Sequence, residues 1–160
     1  MIDSKDREIL TIIQDNGRVS NSDIARQLGM APSAILERIR KLEARGVIQG
    51  YSARVDPRSL GLGLLAFVLV RSEDRIGEEE TGAALAAIPE VLEVHHVAGE
   101  DCFLVKIRAP DPEALGVLLR ERFKAIPTIR STRTTVVLNT VKETSRLPLP
   151  ENQEPADVAG

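Results

Sequence analysis

Between Pro32 and Arg45 the chain sets small, polar and cationic side chains around a helical pattern, a combination suited to holding nucleic acid. Ile35, Ile39 and Leu42 recur at i, i+4 and i+7, so they share one face and form a buried stripe. The opposite side carries Ser33, Ala34, Glu37 and Lys41, with Arg38 and Arg40 at its flanks. Arginine and lysine can hold phosphates or reach guanine edges, and small residues at a helix start permit close approach. Arg54, further along, and Arg18, further back, are weaker phosphate candidates. Each of these cations is also explicable as part of a solvated helix face.

A second polar set surrounds Cys102. Glu93, His95, His96 and Cys102 could suggest a metal ion or a small catalytic centre. Adjacent strand residues point to opposite faces, so the two imidazoles cannot readily share one ion. A strand cysteine is more often an inert small hydrophobe than a reactive thiol. The chain offers no nucleophile, base and orienter in combination, no glycine-rich phosphate loop and no zinc spacing, so no catalytic residue, cofactor or metal ligand is expected.

The elements that must position these groups follow from periodicity and punctuation. A first helix runs from about Asp3 to Asp15, and Asn16-Gly17 ends it. Ser20 or Asn21 caps a short helix closed by Gly29. Pro32 opens the third helix without a capping side chain, since Ala31 precedes it, and Gly46 ends it. A short helix, a tight turn and a longer helix with a cationic outer face is a helix-turn-helix layout. Val47 to Val55 reads as a strand or an extended arm, and residues 51–63 as arm and linker after a DNA-binding domain over 1–50.

From Leu64 the pattern becomes strand, helix, strand, strand, helix, strand. Strands are expected over Leu64–Arg71, Val91–Val97, Cys102–Arg108 and a long Ile129–Val141, with helices over Gly77–Ala87 and Asp111 to about Ala125. That order over residues 64–142 is a split βαβ, ferredoxin-like domain, so the fold class is α+β. Helices cover one sheet face in such a fold, yet Leu64 to Val70 is apolar at every position. Both faces therefore look buried, and sheet-to-sheet packing between subunits is the economical explanation. Residues 143–160, rich in Pro, Glu and small residues, read as a disordered tail.

Bulk properties bound the partners. The 160 residues are 42% hydrophobic and 28% charged, ordinary globular composition, with 2% aromatics. A net charge of −3 argues against indiscriminate coating of nucleic acid, but the balance is uneven: about +2 over residues 1–60 and about −5 over the rest. The single cysteine excludes an intrachain disulfide and fits a reducing cytoplasm. The start is charged at once, unlike a signal peptide, and the longest apolar run is too short to span a bilayer, so no membrane is expected.

Several segments together resemble the leucine-responsive regulatory protein/AsnC (feast/famine) family of transcription regulators, over roughly Ile2 to Arg146. They are DREIL with the following NGRVSN, LERIRKLEARGVIQGY, HVAG, and STRTTVVLNTVK. LERIRKLE-x-x-G-x-I-x-G-Y is the specific one, because it joins a reader helix to the arm behind it. The resemblance implies an N-terminal winged helix-turn-helix domain and a C-terminal AsnC-type ligand-binding and oligomerisation domain. It implies homodimers, often assembling to octamers, and response to an amino acid or related small-molecule effector. It also places the effector site at Gly99, Glu100, Asp101 and Cys102 of the hairpin and at Thr132 and Thr134 of the last strand, between dimers. The family commonly has an acid where Cys102 stands, and an aromatic one residue later, where Phe103 stands. Ligand identity is therefore open.

The expectation is a sequence-specific regulator of transcription that binds double-stranded DNA under control of a small molecule. Two reader helices paired across a dimer axis would lie about 34–36 Å apart, giving near-palindromic sites. An oligomeric DNA-organising protein with no effector is the alternative. A small ferredoxin-like enzyme is a further one, but it leaves residues 1–60 without a task.

Overall fold

The computed structural model describes residues 2–73, 80–99 and 102–149 of the chain. The chain divides into two compact units, residues up to Arg54 together with those from Glu143, and Val55–Lys142.

The first unit is built on α1 (Ser4–Asp15), α2 (Asn21–Leu28) and α3 (Pro32–Ala44). Asp3 caps α1 in a reciprocal box: its side chain accepts from the Asp6 N–H while the Asp6 side chain accepts from the Asp3 N–H. Ser20 caps α2, and Gly29 closes it at φ 64°, a left-handed conformation glycine adopts without Cβ cost. Ile9, Ile24, Ala25, Ile35 and Ile39 meet in the middle as a small aliphatic core. The arm after α3 forms no regular element and pairs with no strand among the described residues, and Tyr51 donates its hydroxyl to Glu43 at 3.0 Å.

Residues 143–149 form no regular element but are tied to α1. Gln14 and Leu147 exchange two hydrogen bonds, Arg146 pairs with Asp15, and the Glu143 carbonyl accepts from Arg54 at 3.2 Å. The remaining tail, 150–160, lies outside the described residues.

The second unit holds an antiparallel sheet of order β2-β3-β1-β4, from β1 (Leu64–Ser72), β2 (Val91–His96), β3 (Phe103–Ala109) and β4 (Ile129–Val136). Helix α4 (Glu80–Ala86) and helix α5 (Pro112–Leu118), which continues as a π turn over Leu119–Phe123, cover one face. The first residues expected of α4, 77–79, lie outside the described residues. Ala66, Val68, Val70, Val105 and Ile107 are wholly buried beneath these helices, with Leu85, Leu115, Leu118 and Phe123 above them. Gly82 lets α4 approach the sheet, since a Cβ there would stand 3.0 Å from the Phe103 ring.

The sheet corrects one expectation. β4 ends at Val136, five residues short of the expected Val141. Its partner β1 begins at Leu64, and the last bond runs from Val137 N–H to the Leu65 carbonyl. Beyond it no ladder pairing continues among the described residues, and Leu138 is 98% exposed. In the single chain the second sheet face is only partly covered, with Leu65 buried at one end of it. Phe67, Leu69 and Leu104 are half-buried there, with Leu69 directly opposite Leu104.

Candidate nucleic-acid interface and effector site

Helix α3 offers the candidate DNA surface. Ile35, Ile39 and Leu42 are buried as the spacing requires, which turns Ser33, Leu36, Glu37, Arg40 and Lys41 to solvent and leaves Ala34 half-covered. Pro32 supplies the first turn, and Ala31 makes no side-chain cap bond. Lys41 and Glu37 pair one turn apart at 2.6 Å, and that contact holds the Glu37 carboxyl below its ordinary value. Arg40 makes no ion pair or hydrogen bond among the described residues, so its fork is available. Leu36, 37% exposed, is a member of this face that the apolar pattern alone concealed. Its place one residue past Ile35, off the i, i+4, i+7 stripe, was the available signal.

Arg38 stands half exposed on the flank of this face. Its Nη1 reaches back to α1, 2.6 Å from Asp3 Oδ2 and 2.8 Å from Asp6 Oδ1. Bonds to these two carboxylates raise the Arg38 pKa, and the Arg38 contact lowers that of Asp3. A groove of about 500 Å³ runs beside it, lined by Asp3, Asp6, Ala34, Glu37, Lys41 and Arg45 among others. Arg54 is bonded to the Glu143 carbonyl, and Arg18 is exposed beyond the end of α1.

Of the described effector candidates, Gly99, Cys102 and Thr132 lie toward one end of the sheet. The Cys102 N–H donates to the Val70 carbonyl at 2.8 Å on one side of β1, and Thr132 pairs with Val70 on the other. At a strand spacing of about 4.8 Å, Cys102 and Thr132 therefore stand about 10 Å apart. Thr134 lies two residues along, opposite Val68. Gly99 is exposed at φ 136°, with open space where a Cβ would point. Glu100 and Asp101 lie outside the described residues. Cys102 itself is half-buried, packed against the core, with its thiol 3.6 Å from the Ser72 carbonyl. This end of the sheet can offer backbone donors and hydroxyls to a small zwitterion.

The two histidines separate as strand geometry requires. His95 faces Glu93 at 3.2 Å, and Glu93 also pairs with Lys106 at 3.0 Å; Lys106, then His95, lower the Glu93 pKa. His96 stacks on Phe103, ring centroids 5.1 Å apart. No helix among the described residues is long and apolar enough to cross a membrane.

Comparison with known proteins places both units. Residues 2–49 match the winged helix-turn-helix DNA-binding family, and residues 65–147 match the Lrp/AsnC ligand binding domain. The chain is 38% identical over 148 residues to the leucine-responsive regulatory protein of Escherichia coli, covering 91% of this chain and 90% of the relative. The Salmonella typhimurium leucine-responsive regulatory protein gives the same identity and coverage. Among solved structures, a transcriptional regulator from Neisseria meningitidis in complex with L-methionine aligns with TM-score 0.87 at 29% identity, over 92% of this chain and 97% of that one. A feast or famine regulatory protein from M. tuberculosis complexed with L-methionine aligns with TM-score 0.86 at 36% identity, over 94% and 100%. Matched in both units and over nearly its whole length, the chain belongs to the Lrp/AsnC family of DNA-binding transcriptional regulators.

Proposed function

We propose that Ser33, Ala34, Glu37, Arg40 and Lys41 form the operator-reading surface, with Arg54 on the arm as a phosphate contact. The observation that carries this is the outer face of α3: small at its start, cationic further along, and largely solvated opposite a buried stripe. Arg40 is the residue placed to meet a base edge or phosphate, and Leu36 adds an apolar contact of the kind that meets a thymine methyl group. R40A should abolish specific operator binding in a gel shift while the oligomer stays intact. Undiminished affinity overturns the assignment.

The reading extends to the effector and to assembly. An amino acid binds at the hairpin end of the sheet, with Glu100 or Asp101 for the ammonium and Gly99, Cys102, Thr132 and Thr134 offering backbone and hydroxyl partners for the carboxylate. The L-methionine held by the two structural relatives supports this ligand class. Homodimers form across the half-covered sheet face of Phe67, Leu69 and Leu104 and associate further, to octamers, bringing hairpins of neighbouring dimers together. Calorimetry with a panel of amino acids, L-methionine first, tests the effector. No heat with any of them, beside normal DNA affinity, leaves the DNA-organising role instead.

A further inference from the structure

We infer that Arg38 is a positioning residue for the reader helix, clamping α3 to the capped start of α1, and that it contacts neither phosphate nor base. The inference rests on α3 being the reading element. Its substance is a division of oxygens. Asp3 uses Oδ1 to cap the Asp6 N–H at 2.8 Å and gives Oδ2 to the guanidinium at 2.6 Å. Asp6 uses Oδ2 to accept from the Asp3 N–H at 3.3 Å and gives Oδ1 to the same nitrogen at 2.8 Å. Both carboxylates of the box are thus satisfied twice, once along α1 and once across to α3.

The cost of undoing this arrangement points the same way. The Asp6 side chain is only 11% exposed, so withdrawing Arg38 to meet a phosphate would leave a largely buried carboxylate without its cation. It would also leave two acids next to each other and next to the incoming phosphate backbone. Arg38 itself is 32% exposed, its charged end held against α1, whereas Arg40 on the same helix stands free. Sequence spacing made the two arginines look alike; the acids of α1 separate their roles.

Arg38 lies between Glu37, which is on the reading face, and Ile39, which is in the core. A guanidinium nitrogen held between two acids resists rotation of α3 about its own axis more than an aliphatic contact can, because charge-assisted bonds are directional. The clamp thereby sets which side chains of α3 meet the groove. It acts on operator recognition through helix orientation.

The salt dependence of operator binding distinguishes this role from direct contact. Each phosphate neutralised by a side chain contributes about 0.9 to the slope of log K against log salt. R38Q should weaken operator binding by on the order of tenfold with that slope unchanged, and D3N/D6N, which keeps Arg38 but removes both of its anchors, should weaken it to a similar extent. A slope smaller by about 0.9 in R38Q, with undiminished binding by D3N/D6N, overturns the clamp and makes Arg38 a phosphate contact. R40A in the same titrations reports on the reading face: if it leaves both affinity and slope unchanged, the face assignment fails, whatever Arg38 does. Circular dichroism melts of R38Q confirm that the comparison is between folded proteins, and R38M, which keeps the aliphatic stem without the charge, serves in its place if R38Q does not fold.

Discussion

Gln14 and Leu147 clasp each other across 133 positions of sequence: the Gln14 amide N–H donates to the Leu147 carbonyl at 3.2 Å, and the Leu147 N–H donates to Gln14 Oε1 at 2.7 Å. The side-chain amide stands in for a strand partner, with Arg146 on Asp15 beside it. Chain ending at Lys142 should therefore lose stability in the helical unit, by about 1–2 kcal/mol given the modest net value of exposed hydrogen bonds. Urea melts of the full and shortened chains, followed by helix signal, check it. Identical midpoints would show that the segment contributes nothing to that unit.

Helix α3 starts without a capping side chain because Ala31 stands at its N-cap. A31S places a hydroxyl where the backbone already has the extended geometry a cap requires, so it should stabilise the protein by about 1 kcal/mol. Thermal denaturation measures the gain; a neutral or negative change means that the loop from Gly29 cannot accept the hydroxyl's bond.

Gly82 and Phe103 set the distance between α4 and the sheet. A methyl at position 82 would stand 3.0 Å from a ring carbon that is itself buried and stacked on His96. G82V should cost about 1–3 kcal/mol through overpacking, more than G82A, read as a lower denaturation midpoint of the sheet domain. Equal midpoints for both variants and the parent would mean that Phe103 moves aside freely.

The Arg38 contact depresses the Asp3 pKa, which gives acid sensitivity a definite sign. A carboxylate depressed on folding adds stability in full above its unfolded value, about 3.9, and that stability is lost as pH falls through the folded value. Stability of the helical unit should be flat above about pH 5 and decline below about pH 4, a decline that R38Q makes shallower. Because Asp3 is half exposed, the effect is below about 1 kcal/mol. Melts between pH 2.5 and 6 supply the measurement, and equal slopes in parent and R38Q would refute the attribution.

Much of the architecture was legible in the residue order because it depends on local rules. Ser20 and Gly29 bracket α2, Pro32 and Gly46 bracket α3, and Ile35, Ile39 and Leu42 mark the inner face, each through backbone conformations and periodicities that neighbours a few residues apart impose. Strand order followed from the alternation of elements. The extent of β4 did not, since strand length is set by the partner, and β1 begins at Leu64.

Tertiary structure alone decided which arginine of α3 is free. Arg38 and Arg40 are the same residue type two positions apart, and nothing in that interval says that Asp3 and Asp6, more than thirty residues earlier, lie within reach of one and not the other. Periodicity reports the direction a side chain leaves its helix; it carries no information about the charged groups of another helix that happen to meet it there. The sequence by itself determined the fold class, the reader helix and its buried stripe. Packing of α1 against α3 determined that Arg38 is paired with the acids of α1, because ion pairs form by distance in space and not by spacing along the chain.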